Sequence, residues 1–393
     1  MKCLLCGHDH LIEFLSLGRQ PLANKYPTQA QFATEEFFPL AMLFCTRCKN
    51  VQISTLVSRS TMFEDYYYLS SVNAGLVRHF EQLAKQLALA KFVVDVGSND
   101  GILLKPLKEI GVKAIGVDPS VNVSQIANDN GLTTITAFFD AATAAEIERV
   151  HGKADVIVAS SVFTHLEAPH EFIEAVKVLL TDTGKFIVEV EYVGDILRQL
   201  QFERFYLDRI FYYSLTSLSI LFDSHSMYIA DVQHIEPHGG SLQLVVMRKG
   251  SGEGASRNVD RLLRSELETL TPDVLAQFGE EVAGQIAAFR KLLQSYNESN
   301  LTVGGYGAPA RVSTICNYGQ IGPSLIKFIV DDSPLKQNKF TPGTHIPIVA
   351  KEHLDKHRPD VLVVFAYEYF EDIRAKTRGA YRYLMPIPPK EMQ

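Results

Sequence analysis

Short apolar runs alternate with amphipathic stretches through the middle of the chain, and this alternation predicts strands joined by helices. The predicted strands lie near residues 92–96, 114–118, 133–137, 155–159 and 185–191. The predicted helices between them include residues 120–130, 141–150 and 168–180. Strand and helix in regular alternation are typical of a doubly wound α/β sheet. We therefore predict an open parallel sheet in the centre of the chain.

On either side of this predicted sheet the pattern changes. Before it, apolar positions at helical spacing predict a helix over residues 76–89. After it, residues 193–215 predict a helix that runs into an aromatic-rich loop. Residues 216–249 then predict two further strands.

The last third of the chain predicts a second, smaller α/β unit. Residues 250–258 (GSGEGASRN) have the composition of a linker, and residues 259–299 predict an amphipathic helix. Strands are predicted at residues 301–304, 327–330 and 361–365. The glycine-rich turn at 304–307 opens a helix, so it could hold a phosphate group or could be a plain strand-to-helix turn.

Composition and charge exclude several functional classes. The chain has 393 residues, of which 46% are hydrophobic and 21% charged, as expected for a globular protein of two or three domains. The net charge is −7 and no block of lysine or arginine occurs, so nucleic acid is not an expected partner. No apolar run reaches the roughly 18 residues of a membrane span, and the first residues do not resemble a signal peptide. We expect a cytoplasmic protein without a membrane partner.

Four of the five cysteines form two closely spaced pairs, Cys3 with Cys6 and Cys45 with Cys48. Two C-x2-C pairs can supply four thiolates to one zinc ion in a closed, structural site. A redox-active C-x-x-C and unpaired thiols are the alternatives. The fifth residue, Cys316, is expected to be a small buried hydrophobe.

The stretch VDVGSNDG contains the most specific candidate for a cofactor site. Asp95 ends an apolar run, a turn with Gly97, Asn99 and Gly101 follows, and the next predicted strand ends at Asp118. Small residues allow a ligand to approach the backbone, and an acid at the second strand end can accept both hydroxyls of a ribose. The D-x-G-x-N-x-G spacing resembles the first motif of class I S-adenosylmethionine (SAM)-dependent methyltransferases. A nicotinamide cofactor and a purely structural turn remain as alternatives.

Other candidates come from the rule that ligands bind at the carboxyl ends of parallel strands. Ser160 lies at one predicted strand end, and His165 follows a few residues later. His165 could face the cofactor cleft or could cap the next helix. Glu189 and Glu191 alternate along a strand that we take to be an edge strand, so a role for both is not expected.

Further along the chain, the run Tyr66-Tyr67-Tyr68 cannot pack entirely into one core, so at least one hydroxyl is expected in a cleft or in solvent. His238 begins a turn and could bind a ligand or satisfy the loop.

Taken together, these motifs resemble the sugar C-methyltransferases of deoxysugar biosynthesis over nearly the whole chain. The shared features are the paired cysteines, the tyrosine-rich segment ending in Ser70-Ser71, VDVGSNDG, GVDPS, the turn around His165, HGGSL at 238–242, GYGAPAR at 305–311 and TPGTHIPI at 341–348. The resemblance implies a zinc module at residues 1–70, a SAM-binding Rossmann domain at 71–250 and a Rossmann-like domain at 259–393. It also implies a nucleotide-linked 4-keto-6-deoxysugar as substrate, methylated at carbon through an enolate.

The chain departs from this family in one loop. Where the family has a Tyr-His-Glu-His run, whose last histidine is the favoured base, this sequence has Tyr206-Leu207-Asp208-Arg209. Arginine stays protonated and cannot act as a general base. Methyl transfer is therefore predicted to use Tyr206, Asp208 or His165 for the proton. A different reaction on the sugar, such as isomerisation or elimination, and a catalytically silent binding protein are the alternatives.

The predicted site residues form three sets besides the cysteines. The catalytic candidates are Tyr68, His165, Tyr206, Asp208 and Arg209. The cofactor-binding candidates are Asp95, Gly97, Asn99, Gly101, Asp118 and Ser160. The substrate-binding candidates are Tyr67, Ser71, His238, Tyr306 and Lys336.

Overall fold

The computed structural model describes residues 1–58, 69–252 and 254–392. The strands in these ranges are β1 (Leu11–Pro21), β2 (Phe37–Cys45), β3 (Val51–Ile53), β4 (Phe92–Val96), β5 (Lys113–Asp118), β6 (Thr134–Thr136), β7 (Ala154–Ser160), β8 (Leu180–Glu191), β9 (Phe211–Tyr212), β10 (Met227–Ile235), β11 (Ser241–Arg248), β12 (Val303–Tyr306), β13 (Ile329–Val330), β14 (Ile348–Val349), β15 (Val361–Val364), β16 (Arg382–Met385) and β17 (Lys390–Met392). The α-helices span Ala74–Gln86, Leu104–Glu109, Val121–Asp129, Ala141–His151, Pro169–Leu179, Val193–Arg198, Leu215–Ser224, Arg257–Thr269, Pro272–Glu298, Arg311–Tyr318, His353–Lys356 and Phe370–Lys376.

The central sheet has the strand order β10-β11-β8-β7-β4-β5-β6. Its strands β8, β7, β4, β5 and β6 are parallel, whereas β10 and β11 add antiparallel strands at one side. Every residue of β4 is buried, as expected for a strand covered on both faces. The predicted α/β class and the predicted central strands are confirmed. Each strand boundary differs by at most one residue, except that β8 begins five residues earlier than predicted.

The amino-terminal module is built around the sheet β1-β2-β3-β9. Strands β1 and β2, which the sequence pattern did not predict, form a long antiparallel hairpin. The register shifts twice along β1, between Glu13 and Leu15 and between Ser16 and Arg19. Each shift interrupts the two-residue alternation by which a strand is recognised.

The carboxyl-terminal sheet has the order β14-β13-β12-β15-β16-β17 and is parallel except for β17. The predicted second α/β unit is therefore present. Its strand β13 is shorter than predicted and begins at Ile329 instead of Lys327.

Two helical segments differ from the predictions. The sequence pattern did not predict the helix Leu215–Ser224. Apolar residues lie on most of its faces, and several of its residues favour strands. The helix predicted over 259–299 is two helices, which separate at Leu270 and Thr271. Thr271 caps the second helix and Pro272 occupies its first position, the arrangement that begins a new helix.

The amino-terminal module packs against both other sheets. The cluster that contains Cys3, Cys45 and Cys48 continues into the core of the central sheet. A second cluster joins β1 and β2 to the carboxyl-terminal sheet through residues such as Phe14 and Phe289. Cys316 is fully buried in this second cluster, as predicted. None of the helices in the described part of the chain is both long and apolar enough to cross a membrane.

Candidate functional site

The four paired cysteines converge on one point. Their sulfur atoms all lie within 4.8 Å of one another, with 3.6 Å between Cys3 and Cys48 and 3.6 Å between Cys6 and Cys45. Four sulfurs around a tetrahedral zinc ion, each at about 2.3 Å, would be separated by about 3.8 Å. The donor set therefore fits a closed zinc site in which no coordination position is left for catalysis.

The hairpin explains the long spacing between the two cysteine pairs. Cys45 is the last residue of β2, and its amide donates to the carbonyl of Asn50 across a tight turn that leads into β3. On the other side, Gly7 donates to the carbonyl of Cys3. Strands β1 and β2 carry the chain away from the first pair and return it to the second.

The predicted cofactor turn lies between the carboxyl ends of the neighbouring strands β4 and β5. Gly97 has φ +75°, and a Cβ atom there would lie 2.1 Å from Cγ2 of Val162. Gly101 has φ +85°, and its Cβ would lie 2.3 Å from Cδ1 of Leu132. Both positions therefore require glycine for backbone conformation and for space.

Asp118 organises this turn through its carboxylate. One oxygen accepts the amide of Asn99 at 2.9 Å, and the other accepts the amide of Ser120 at 2.9 Å. Burial raises the pKa of Asp118, although these bonds oppose the rise. Each carboxylate oxygen has a second lone pair, so the residue can still accept ribose hydroxyls. The geometry fits the nucleoside part of SAM.

Asp95 lies beneath the same turn and is almost completely buried. Its pKa is raised to about 8 by burial and, secondarily, by the negative charges of Asp118 and Glu189. The Asp95 carboxyl is therefore buried close enough to two other carboxyl groups for their negative charges to act on it. Carboxyl groups near one another favour a cationic ligand, and the sulfonium and amino groups of SAM are cations.

Strand β8 is not an edge strand, because it lies between β7 and β11. The prediction of a solvated face carrying Glu189 and Glu191 was therefore wrong, and both side chains are buried. Glu189 accepts hydrogen bonds from Ser160 at 2.5 Å, from Gln243 at 2.7 Å, and contacts His79 Nε2 at 2.8 Å. Burial would raise the pKa of Glu189, but these partners lower it overall.

The loop that replaces the family's Tyr-His-Glu-His run lies against the carboxyl end of β8. Nη2 of Arg209 lies 2.5 Å from Oε1 of Glu191, and both side chains are buried. The guanidinium also lies 4.8 Å from the ring centre of Tyr206. Burial raises the pKa of Tyr206 to about 12, although the charge of Arg209 opposes this shift.

His165 contacts this loop directly. Its Nδ1 atom hydrogen-bonds the backbone carbonyl of Asp208, and the amide of Ile210 donates to the carbonyl of Thr164 at 2.9 Å. The alternative that His165 caps the next helix is wrong, because that helix is preceded by Ala168 without a side-chain cap. Burial raises the pKa of the Asp208 carboxyl, and the charge of His165 opposes the rise.

The predicted substrate residues are not all brought to one place. Ser71 donates to Asp100 at 2.5 Å, beside the cofactor turn. Tyr306 is buried and donates to Asp332 at 2.9 Å at the carboxyl-terminal sheet. Tyr67, Tyr68 and the side chain of His238 lie outside the described part of the structure.

Lys336 lies where the amino-terminal module meets the carboxyl-terminal sheet. Its Nζ donates to the carbonyl of Ala308 at 2.9 Å and lies 5.2 Å from the ring centre of Tyr26. The hydroxyl of Tyr26 donates to the same carbonyl at 2.7 Å. Burial raises the pKa of Tyr26, with smaller contributions from Asp331 and Tyr206. The segment that carries Tyr26 also contacts the loop of Tyr206, because Asn24 donates to the carboxylate of Asp208 at 3.4 Å.

The glycine-rich turn at the start of the same sheet uses its own amides within the fold. Gly305 donates to Phe328, Gly307 to Val330 and Ala308 to the carboxylate of Asp331. These three amides are therefore engaged by the protein itself.

Sequence reasoning missed several polar residues around this cleft, namely His79, Gln243, Tyr26, Arg204 and Arg311. Arg204 and Arg311 both contact Oε1 of Glu368, at 3.1 Å and 2.7 Å. A Cβ atom on Gly239 would lie 2.0 Å from Arg204, so the turn that contains His238 packs directly on this arginine. The only local sign of this contact in the sequence was the pair of glycines in that turn, because glycine permits close approach by another group.

Comparison with protein-family models identifies all three parts of the chain. A zinc-binding domain matches residues 3–63, a methyltransferase domain matches residues 68–225, and a C-methyltransferase C-terminal domain matches residues 236–388. These matches confirm the predicted SAM-binding methyltransferase fold and the predicted zinc-binding module.

Individual proteins are similar to this chain to different extents. C-methyltransferase NovU of Streptomyces niveus is 32% identical over 98% of this chain and 95% of its own length. A mitochondrial ubiquinone biosynthesis O-methyltransferase of Arabidopsis thaliana is 27% identical over 126 residues, which are 30% of this chain and 39% of that protein. The solved magnesium protoporphyrin IX methyltransferase of Synechocystis PCC 6803 with bound SAM covers 45% of this chain and 82% of its own, at 16% identity and a TM-score of 0.35. Since the match to NovU extends over nearly the full length of both proteins, this chain belongs to the family of SAM-dependent C-methyltransferases.

Proposed function

We propose that the protein transfers a methyl group from SAM to a carbon atom of a nucleotide-linked 4-keto-deoxysugar, through an enolate. The observation that supports this proposal most directly is the contact of His165 with the loop that has lost the family's histidines. The loop carries Tyr206 and Arg209, and it lies at the carboxyl edge of the sheet that holds the cofactor turn.

His165 is the proposed base. A backbone carbonyl can only accept, so Nδ1 of His165 must carry the proton that it shares with Asp208. In the neutral ring the basic lone pair is then on Nε2. A carbonyl that orients one ring nitrogen in this way prepares the other for proton transfer, as the orienting group does in a catalytic triad.

Tyr206 and Arg209 are proposed to stabilise the enolate oxygen. With its pKa raised to about 12, the hydroxyl of Tyr206 stays protonated near neutral pH and can donate a hydrogen bond. Arg209 adds a permanent positive charge within 4.8 Å of that ring. Donors and charges placed in advance where negative charge develops lower the barrier to proton removal.

The nucleotide part of the substrate is assigned to the cleft between the central and carboxyl-terminal sheets. Three cationic side chains, Arg204, Arg311 and Lys336, lie along this cleft near the loop of Tyr206. Arginine and lysine are the usual partners of diphosphate groups. In the structure Glu368 pairs with both arginines, and Asp331 lies 3.7 Å from Lys336. A diphosphate would bind by replacing or sharing these carboxylates, and the cations do not select its base.

Asp95, Asp118 and the turn of Gly97 and Gly101 would hold SAM. When bound, SAM supplies an electrophilic methyl group, which becomes bonded to the enolate carbon as the carbon–sulfur bond breaks. His165 would keep the proton that it removed from that carbon and would then release it to solvent. Electrons and atoms balance without a further reactant.

The test is mass spectrometry of a panel of nucleotide-linked 4-keto-6-deoxysugars incubated with the protein and SAM in deuterated water. The expected product is heavier by one methyl group, with SAM consumed in equal amount. His165→Asn is the decisive variant, because the asparagine amide can still donate to the Asp208 carbonyl but has no basic nitrogen. It is expected to lower deuterium incorporation and methylation by about 100-fold or more. Unchanged turnover in this variant would reject His165 as the base.

One observation favours a second candidate function. Arg209 cannot serve as the base that the family places in this loop, so the sugar could be isomerised or could undergo elimination while SAM stays intact. In the same experiment this reaction would give an altered sugar with no loss of SAM, and Arg209→His would change the rate of deuterium exchange. If Arg209→His changed neither exchange nor turnover, a catalytic role for the loop would be excluded.

A further inference from the structure

A groove of about 540 Å³ lies in the carboxyl-terminal domain, away from the catalytic cleft. Its lining includes Thr302, Lys327, Pro347 and Arg358, which come just before β12, β13, β14 and β15. These strands are parallel, so the groove lies at the amino-terminal edge of the sheet. The catalytic cleft lies at the opposite, carboxyl edge, and the proposed reaction does not use this groove.

The groove contains three cationic side chains and two histidines, although the chain as a whole has a net charge of −7. Five of its lining residues are Lys327, His353, Lys356, His357 and Arg358. Within the described residues, no carboxylate lies within ion-pairing distance of any of the five. Lys327 and Arg358 instead donate to backbone carbonyls, at 3.0 Å and 3.1 Å.

Asp360, the acidic residue that follows Arg358 most closely in the sequence, is held by a backbone amide at the edge of the groove. Asp360 accepts the amide of Thr302 at 2.7 Å. Glu352 and Asp355, which precede His353 and Lys356 in the sequence, are exposed to solvent, and neither forms an ion pair with a described residue of the groove. The positive charges of the groove are therefore not neutralised by these carboxylates, and like charges held together favour an anion.

Three aromatic rings, those of Phe328, His353 and His357, lie beside these charges. The ring of His353 lies edge-on to Phe328 at 4.6 Å between centroids, and it stacks on His357 at 4.4 Å and 24°. Burial, with the neighbouring His357 and Lys356, lowers the pKa of His353. A ring surface next to several cations suits a ligand with a planar group and phosphates.

We propose that this groove is a second ligand site, which binds a nucleoside diphosphate or a related phosphate-bearing small molecule. Its volume is within the range of about 300–1,000 Å³ that is usual for small-ligand sites. Lys327, Lys356 and Arg358 bind the phosphates, and the ring surface of His353 and Phe328 contacts the base. The site is independent of the methyl-transfer proposal, because that reaction is placed at the carboxyl edge of the central sheet and the groove lies at the amino-terminal edge of the carboxyl-terminal sheet.

The test is calorimetric titration of the full-length protein with ADP as the probe, in the presence of saturating SAM. Lys356→Glu/Arg358→Glu is expected to weaken ADP binding by about tenfold or more, since two phosphate contacts become repulsive. The matched control is Arg264→Glu/Lys291→Glu, which reverses the same two types of charge at exposed helical positions outside the groove. Lys336→Ala separates the two sites, because it alters the catalytic cleft and leaves the groove intact.

The proposal is supported if binding survives Lys336→Ala and the control but is lost in the groove variant. It is overturned if ADP does not bind to the wild-type protein, if the groove variant binds it normally, or if the control weakens it equally. Loss of binding in Lys336→Ala alone would assign ADP to the catalytic cleft and would also overturn the second site. Methylation of the sugar panel by the groove variant tests the proposed function separately.

Discussion

The Nη2 atom of Arg209 lies 2.5 Å from Oε1 of Glu191, and neither side chain has appreciable contact with solvent. A buried charge requires a partner, because its transfer from water costs several kcal/mol. The pair joins the loop that contains Arg209, between β8 and β9, to the carboxyl end of β8. It therefore couples the position of the candidate catalytic loop to the sheet itself.

Arg209→Met should destabilise the protein strongly, by about 3–5 kcal/mol, because it leaves Glu191 buried without its cationic partner. The double variant Arg209→Met/Glu191→Gln removes both charges and should recover much of this loss. Urea unfolding of the wild-type protein, both single variants and the double variant measures the coupling. Additive single effects would show that the two residues do not act as a pair.

Asp95 should make stability depend on pH. Its folded-state pKa is raised to about 8, above the unfolded value of 3.8, so the folded state holds the extra proton between these values. Protonated Asp95 contributes its full stabilisation to the folded state below about pH 4. This contribution to the free energy of unfolding decreases as pH rises toward 8, by at most about 1.4 kcal/mol per pH unit. Asp95→Asn removes this titration, so its free energy of unfolding should vary less from pH 5 to pH 8. An unaltered pH profile in the variant would contradict the raised pKa.

Gly97→Ala should impair SAM binding. The alanine would adopt an unfavourable positive φ and its Cβ would overlap Val162, so the turn must move. We expect SAM affinity in a calorimetric titration to decrease by about tenfold or more, which corresponds to about 1.4 kcal/mol. Gly111→Ala is the control, because Gly111 has φ +80° but no atom within 4 Å of its Cβ position. Equal SAM affinities in the two variants would mean that the turn does not form the binding site.

Cys48→Ser should release the zinc ion and destabilise the amino-terminal module, because the energy of metal binding is part of the folding energy. The loss is expected to be about 3 kcal/mol or more and to appear as a lower melting temperature. Metal analysis of the purified protein should fall from one zinc ion per chain to none. Cys316→Ala, which alters a buried cysteine outside the cluster, should keep its zinc. Zinc retained at full stoichiometry in Cys48→Ser would disprove the four-cysteine site.

Features that depend on neighbouring residues could be predicted from the sequence. The turn from Asp95 to Gly101, the acid at Asp118 and the two cysteine pairs follow from short spacings, because the backbone conformation of a turn is set within a few residues. The central strands were recognisable for the same reason, since a strand buried on both faces is a continuous apolar run. In these places local pattern and tertiary structure agree.

The tertiary structure alone decided which distant residues meet. Glu191 pairs with Arg209 because β8 is an interior strand, and that position depends on the antiparallel strand β11 more than 50 residues later in the chain. His165 contacts the carbonyl of Asp208 because two loops from different strand ends cross at one edge. The basic groove exists because parallel strands begin side by side. No short stretch of sequence predicts these contacts. Each one forms only when the pairing of distant strands brings the residues on its two sides together.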